Sequence, residues 1–226
     1  MLVFAALCGL GIWQIDRGEQ KEQMLAQQAV AIKNAPRSFN RAAASDSNPA
    51  YGSRYTVDGR MDASQQILLD NQAFDGRIGY RVWTPVVMAD GRRVLVDRGW
   101  VPLGAGGRSD IPSPAGPDGP VRMTGRWRDL PEPGMRLGGA PDCTARGWPR
   151  VLNYPTISSV RCQYDGPVVD GLLLLDESDD RGFARDWQAA LVQMPPVRHF
   201  GYAAQWFAMA IAVAAIFLFV NLKRIR

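Results

Sequence analysis

The chain has 226 residues, 46% of them hydrophobic, and a net charge of +4 with a single histidine and three cysteines. Lys223, Arg224 and Arg226 supply three of those four charges, so the clustered basic face that phosphate binding needs is missing and nucleic acid is not an expected partner. One histidine excludes HExxH sites and multi-histidine metal centres, and no Gly-x-Ser-x-Gly segment offers a serine nucleophile.

Met1 to Ile15 holds no charge, although about 15 residues is short for a complete membrane crossing. A secretory signal needs a basic stretch before the apolar run and a small-x-small site after it. The flank Trp13-Gln14-Ile15-Asp16-Arg17 has neither feature, so the segment reads as a first span, truncated at its start, and not as a signal peptide. Ala5 and Gly9 form a small-xxx-small pair through which another helix can approach, and Cys8 acts there as a small apolar residue. From Asp16 to Ala35 the chain is rich in Gln, Glu, Ala and Lys, good helix formers, until Pro36 stops the run. Asn40 to Asn48 is small and polar, a loop pattern.

From Tyr55 the pattern changes to short segments rich in β-branched and aromatic residues, punctuated by Gly, Asp and Pro. The expected strands are Tyr55 to Met61, Gln66 to Phe74, Gly79 to Ala89, Arg93 to Trp100 and Val121 to Arg128, with a hairpin turn at Ala89-Asp90-Gly91-Arg92. Gly104 to Gly119 is a loop. Its Gly104-Ala105-Gly106-Gly107 run lacks the Gly-Lys-Ser/Thr of a phosphate loop, and no helix follows. Tyr154 to Cys162 reads as a short helix, and Gly171 to Asp176 and Trp187 to Met194 as further strands, before Pro195-Pro196 ends the domain.

Cys143 and Cys162 have no CxxC or Cys/His companions, which argues against zinc. Nineteen positions apart in a domain expected to face an oxidising compartment, they are a disulfide candidate. The acids of Asp176-Glu177-Ser178-Asp179-Asp180 read as a solvated turn, and Asp97-Arg98 as a local ion pair that sets a strand end.

Phe200 to Leu222 is 23 residues without a charge, enough to cross a hydrocarbon core of about 30 Å. The basic tail places the C-terminus in the cytoplasm. With two spans the N-terminus is cytoplasmic as well, and in a bacterium the middle of the chain is periplasmic. The expected fold is therefore an α+β membrane protein in which two transmembrane helices flank a mostly antiparallel β extracytoplasmic domain. Its parts are residues 1–17 (first span), 18–197 (the domain, with a helical extension at its start), 198–222 (second span) and 223–226 (basic tail).

The lone histidine, His199, stands at the outer mouth of that second span. A neutral imidazole there can ligate a metal or a heme iron, or can simply mark the helix's entry into the lipid interface. Tyr202 and Trp206 fall on the same helical stripe, followed by Ala210 and Val213, which outlines a ring-lined groove.

Four stretches together resemble the Surfeit locus protein one family of membrane proteins. Leu10-Gly11-Ile12-Trp13-Gln14-Ile15-Asp16-Arg17 with Lys21 is similar to the family's signature where the first span emerges. Gly79-Tyr80-Arg81-Val82-Trp83-Thr84-Pro85 and Val94-Leu95-Val96-Asp97-Arg98-Gly99-Trp100-Val101-Pro102 resemble its central stretches, with Asp97 where asparagine is usual. His199-Phe200-Gly201-Tyr202 with Gln205-Trp206-Phe207 resembles its second-span motif, although the acidic or amide residue often found shortly before the histidine is replaced by Pro196-Val197-Arg198. The resemblance implies a non-enzymatic assembly factor for cytochrome c oxidase in the inner membrane. It also implies a heme a site with His199 as the iron ligand, heme a synthase as the donor and oxidase subunit I as the recipient. Around that ligand, Tyr202 and Trp206 are expected to pack on the porphyrin and Trp13 to close the pocket, with Arg17, Lys21 or Arg198 pairing with propionates. The competing expectations are a scaffold that steadies subunit I without touching heme, and an anchored enzyme built on Asp97, Arg98 and the acidic turn.

Overall fold

A computed structural model describes residues 2–33, 35–42, 49–130, 143–153, 155–187 and 195–225. They divide into two compact units, Met1–Val30 with Gln188–Arg226, and Ala31–Trp187.

The first unit is a pair of long helices, α1 (Leu2–Lys33) and, at the other end of the chain, α4 (Pro196–Ile225). Proline opens α4 without penalty, because the first helical position has no intrahelical acceptor for its N–H. Among the covered positions of α1 are Phe4, Leu7, Gly11, Gln14, Gly18, Lys21 and Leu25, with Cys8 and Ile15 beside them, and among those of α4 are Pro196, His199, Ala203, Trp206, Ala210 and Val213, with Phe200, Phe207 and Ala214 beside them. Alternating steps of three and four are the seam of two helices packed side by side. The Phe207 ring lies against Gly11 and the Phe200 ring against Gly18, so the two helices run antiparallel. Outside the seam α4 shows Ile211, Ile216, Phe217, Leu218 and Phe219, all at least half exposed. Among the described residues, Pro196–Leu222 is the one helix long and apolar enough to cross a membrane. In α1, Gln14, Asp16, Arg17 and Glu19 interrupt the apolar run, and the expectation of two spans stands supported for the second alone.

The second unit is a mixed sheet. Its strands are β1 (Arg37–Ser38), β2 (Arg54–Met61), β3 (Ile67–Phe74), β4 (Arg77–Val87), β5 (Arg93–Pro102), β6 (Gly119–Arg128), β7 (Arg150–Leu152) and β8 (Val168–Leu175), with short helices α2 (Phe39–Ala42) and α3 (Ile157–Arg161). Antiparallel pairing joins β2 to β6, β6 to β8, β5 to β4, and β4 back to β2 at Met61 opposite Val86. Parallel pairing of β5 with β8 completes a closed ring of five strands. The bent β2–β3 segment contributes β3 as a further partner of β4, and β7 adds parallel to β3. The connectivity resembles that of an OB-type Greek-key barrel, a fold that by itself implies no function. Three parallel pairings, counting β1 with β2, make the sheet mixed where the sequence suggested mainly antiparallel strands.

Val94 and Val96 of β5, Leu173 and Leu175 of β8, Met61, Val86, Met123 and Trp127 fill the inside of the ring, with Phe39 of α2 packed on Tyr55 and Trp127. The alternate residues, Leu95 and Leu172, join Ile67, Trp83, Leu152, Val160 and Tyr164 in a second cluster that α3 and β7 help to cover. Burial on both faces explains why β5 and β8 carry continuous apolar stretches, Val94-Leu95-Val96 and Leu172-Leu173-Leu174-Leu175, and not alternating ones. Each fully buried side chain contributes roughly 1.5–3 kcal/mol.

The short helix sits inside the expected span, at Ile157–Arg161, started by a Thr156 capping box. Of the expected strand Trp187 to Met194, all but Trp187 lies outside the described residues, as does most of the Asn40 to Asn48 loop. Cys143 and Cys162 are joined by a disulfide.

Candidate functional site

In the helix pair, His199 is 7% exposed. A side chain one turn into α4 points at the seam because it shares a stripe with Ala203 and Ala210, both buried and both small. Across the seam, Nδ1 of the imidazole lies 2.8 Å from Oε1 of Gln14. Among the described residues no hydrogen bond reaches its Nε2. Glycines make this reach possible: a Cβ at Gly11 would sit 2.7 Å from the Phe207 ring, and one at Gly18 2.6 Å from Phe200. Removing Cβ atoms on both sides of Gln14 lets the backbones approach closely, and the amide then meets the ring.

The other expected site residues are placed differently from one another. Trp206 is partly buried on the His199 stripe. Tyr202 is 42% exposed and Trp13 55% exposed, on the outward sides of their helices. Arg17 is exposed and its Nη1 donates to Gln20 Oε1 at 3.1 Å. Arg198 is exposed and Lys21 partly buried. The structure thus brings together His199 and Gln14, while Trp13, Tyr202, Arg17 and Arg198 line the outer surface of the same helix pair. Gln14 carried a signal in the sequence: it is a polar residue in an apolar run, at seam spacing between two glycines.

The donor set fits a heme iron in kind. A single buried imidazole with one nitrogen engaged by a protein acceptor has the other left as a ligand, and the exposed rings of Tyr202 and Trp13 on the outer surface of the helix pair suit a flat apolar macrocycle.

The barrel's charged residues serve its own architecture. Asp97 and Arg98 do not pair with each other, because successive strand residues face opposite sides. Asp97 Oδ2 accepts from Arg81 Nε at 2.8 Å and from Trp83 Nε1 at 3.1 Å, and its Oδ1 accepts from the Gly99 N–H. Arg98 donates to the carbonyls of Ala115 and Arg181 and lies 4.6 Å over Phe183. Burial draws its guanidinium down to about 10, which leaves it charged at neutral pH. Gly99, with φ at +112°, lets Ala184 approach, and the Trp100 N–H donates to the Ala184 carbonyl at 2.7 Å. Arg98-Gly99-Trp100 therefore straps the 181–184 segment onto β5. The acidic turn is likewise tied down: Asp176 pairs with Arg54, Asp179 with Arg181, and Arg185 donates to the carbonyls of Asp176, Glu177 and Asp179. Hydrogen bonds from Arg181 hold the Asp179 carboxyl below its ordinary value.

A family model described as the SURF1 family matches residues 1–211. A SURF1-like protein of Dictyostelium discoideum is 29% identical over 100 residues, 41% of this chain and 37% of that protein. The matched stretch is thus well under half the length of that relative.

Proposed function

Because the chain belongs to the SURF1 family, a family associated with cytochrome c oxidase assembly, we propose that it is a non-enzymatic assembly factor that holds heme a at the helix pair and passes it to oxidase subunit I. Heme a synthase is the proposed donor, and the proposed setting is a bacterial inner membrane with the barrel on the periplasmic side. The observation that supports this reading is His199 itself: the chain's one imidazole, 7% exposed, at the mouth of the membrane helix with Nε2 left to ligate.

His199 would supply the axial ligand, Tyr202 and Trp206 contact with the macrocycle, and Arg17, Lys21 or Arg198 a charge for the propionates. Trp13 would cover the cofactor from α1. When bound, the heme brings an iron that this chain only stores and hands on. Exposed rings and cations on the outer surface of the helix pair suit a cofactor with a lipid-soluble tail and water-seeking carboxylates.

The test is co-expression with the heme a synthesis enzymes, purification in detergent and a visible spectrum. Heme a should co-purify with the wild type and be lost from His199→Ala. An unchanged Soret band and stoichiometry in His199→Ala would remove His199 as ligand and favour the scaffold reading, in which subunit I is held without heme.

A further inference from the structure

We propose that Gln14 is a positioning residue that selects the tautomer and fixes the ring plane of His199, so that the lone pair sits on Nε2. The inference rests on the reading of His199 as the heme ligand, but its geometry stands in the protein alone.

The two side chains are 185 residues apart in sequence and 2.8 Å apart in space. An imidazole 7% exposed leaves little room for water to replace a lost partner, and buried polar atoms require one. Gln14 faces the ring through its carbonyl oxygen, which can only accept, so Nδ1 must donate its proton and Nε2 is the unprotonated nitrogen. In water the opposite tautomer, with the proton on Nε2, is the commoner form. That form cannot bind iron through Nε2 without first moving a proton. Phe207 and Phe200, seated on Gly11 and Gly18 at either side of Gln14, hold the helices at the separation at which the amide reaches. A carboxylate at this position would push the imidazole toward imidazolate and strengthen its donation to iron, whereas the neutral amide orients without charge.

The presence of one histidine makes the test unambiguous. The full chain, purified in detergent without a histidine tag and labelled with 15N-histidine, is examined by long-range proton–nitrogen correlation at a pH above the ordinary imidazole value of about 6.5. Expected is a protonated-type Nδ1 and an unprotonated-type Nε2 in the wild type. The pattern should persist in Gln14→Glu and give way to the Nε2–H form in Gln14→Leu. A wild type with its proton on Nε2, or a Gln14→Leu protein with the wild-type pattern, overturns the proposal. In a second arm hemin is added to each protein, its binding is titrated, and the complex is reduced with dithionite to the ferrous form in which resonance Raman reads the iron–histidine stretch. Gln14→Leu should bind it about 10- to 100-fold more weakly, and the iron–histidine stretch should move up in Gln14→Glu and down in Gln14→Leu. A mere space-filling role gives no such opposed shifts, and equal frequencies in both variants count against the proposal. If the wild type shows the expected tautomer yet takes up no hemin, the positioning role holds and the ligand reading fails.

Discussion

The Phe200 ring covers Gly18 so closely that a Cβ built there would lie 2.6 Å from it, and Phe207 repeats the contact on Gly11 one heptad away. Two glycines and two phenylalanines thus set the separation of α1 and α4, and with it the approach of Gln14 to His199.

Gly18→Leu is therefore expected to weaken the helix pair by about 1–3 kcal/mol, the usual cost of overfilling a packed contact. Phe200→Ala in the same chain should relieve most of that loss, because the two residues touch. Unfolding titrated with SDS reads both effects, and simple additivity in the double variant would show that the ring does not set the spacing.

In the barrel, Asp97 balances Arg81, which also lies 4.3 Å over the Trp187 ring. Asp97→Asn keeps an acceptor for Trp83 but removes the charge, with an expected loss of about 1.5–3 kcal/mol. Asp97→Leu also removes the acceptor that Arg81, Trp83 and the Gly99 N–H share, and should cost about 3–5 kcal/mol. Denaturant unfolding followed by tryptophan fluorescence checks the order, and equal losses in the two variants would mean that the acceptor kept by asparagine adds nothing beyond the lost charge.

Asp179 gives the expected acid sensitivity. A carboxyl held low in the folded state contributes stability that is fully present above its unfolded value, near 4, and is lost as pH falls through its lower folded value. Arg181→Gln removes the largest cause of the depression, so the acid unfolding midpoint should move to higher pH. A midpoint unmoved by Arg181→Gln would mean that other carboxylates govern acid unfolding.

The Cys143–Cys162 bond leaves Cys8 as the free thiol. Denatured protein should take up one thiol label before reduction and three after. Reduction should lower stability by roughly 2–4 kcal/mol. Three labels without reductant would show the cysteines unbridged in the purified protein.

Much of the barrel was legible because its signals are local. Asp90-Gly91 makes the turn between β4 and β5, Asp90 accepts from the Arg92 N–H, and both strands lie within two residues of the pattern that suggested them. β7 escaped because Arg150-Val151-Leu152 is three residues long and pairs in parallel with a strand some 80 positions earlier. The parallel β5–β8 pairing escaped for a related reason: a two-sided apolar strand does not reveal the direction of its neighbour. At the helix pair, His199 stood out as the one ionisable ring beside an apolar span. Its partner Gln14 did not, because the contact depends on where Gly11 and Gly18 place the opposite helix. The exposures of Trp13 and Tyr202 depend on helix rotation, which the stripe alone left undetermined.

If His199 is the iron ligand, as proposed, a free imidazole should be able to take the place of its side chain. His199→Gly, expressed with the heme a synthesis enzymes, should lose the Soret band of the wild type and recover it when imidazole is added to the purified protein. A His199→Gly protein that carries heme a with the wild-type spectrum before any imidazole is added would contradict the claim.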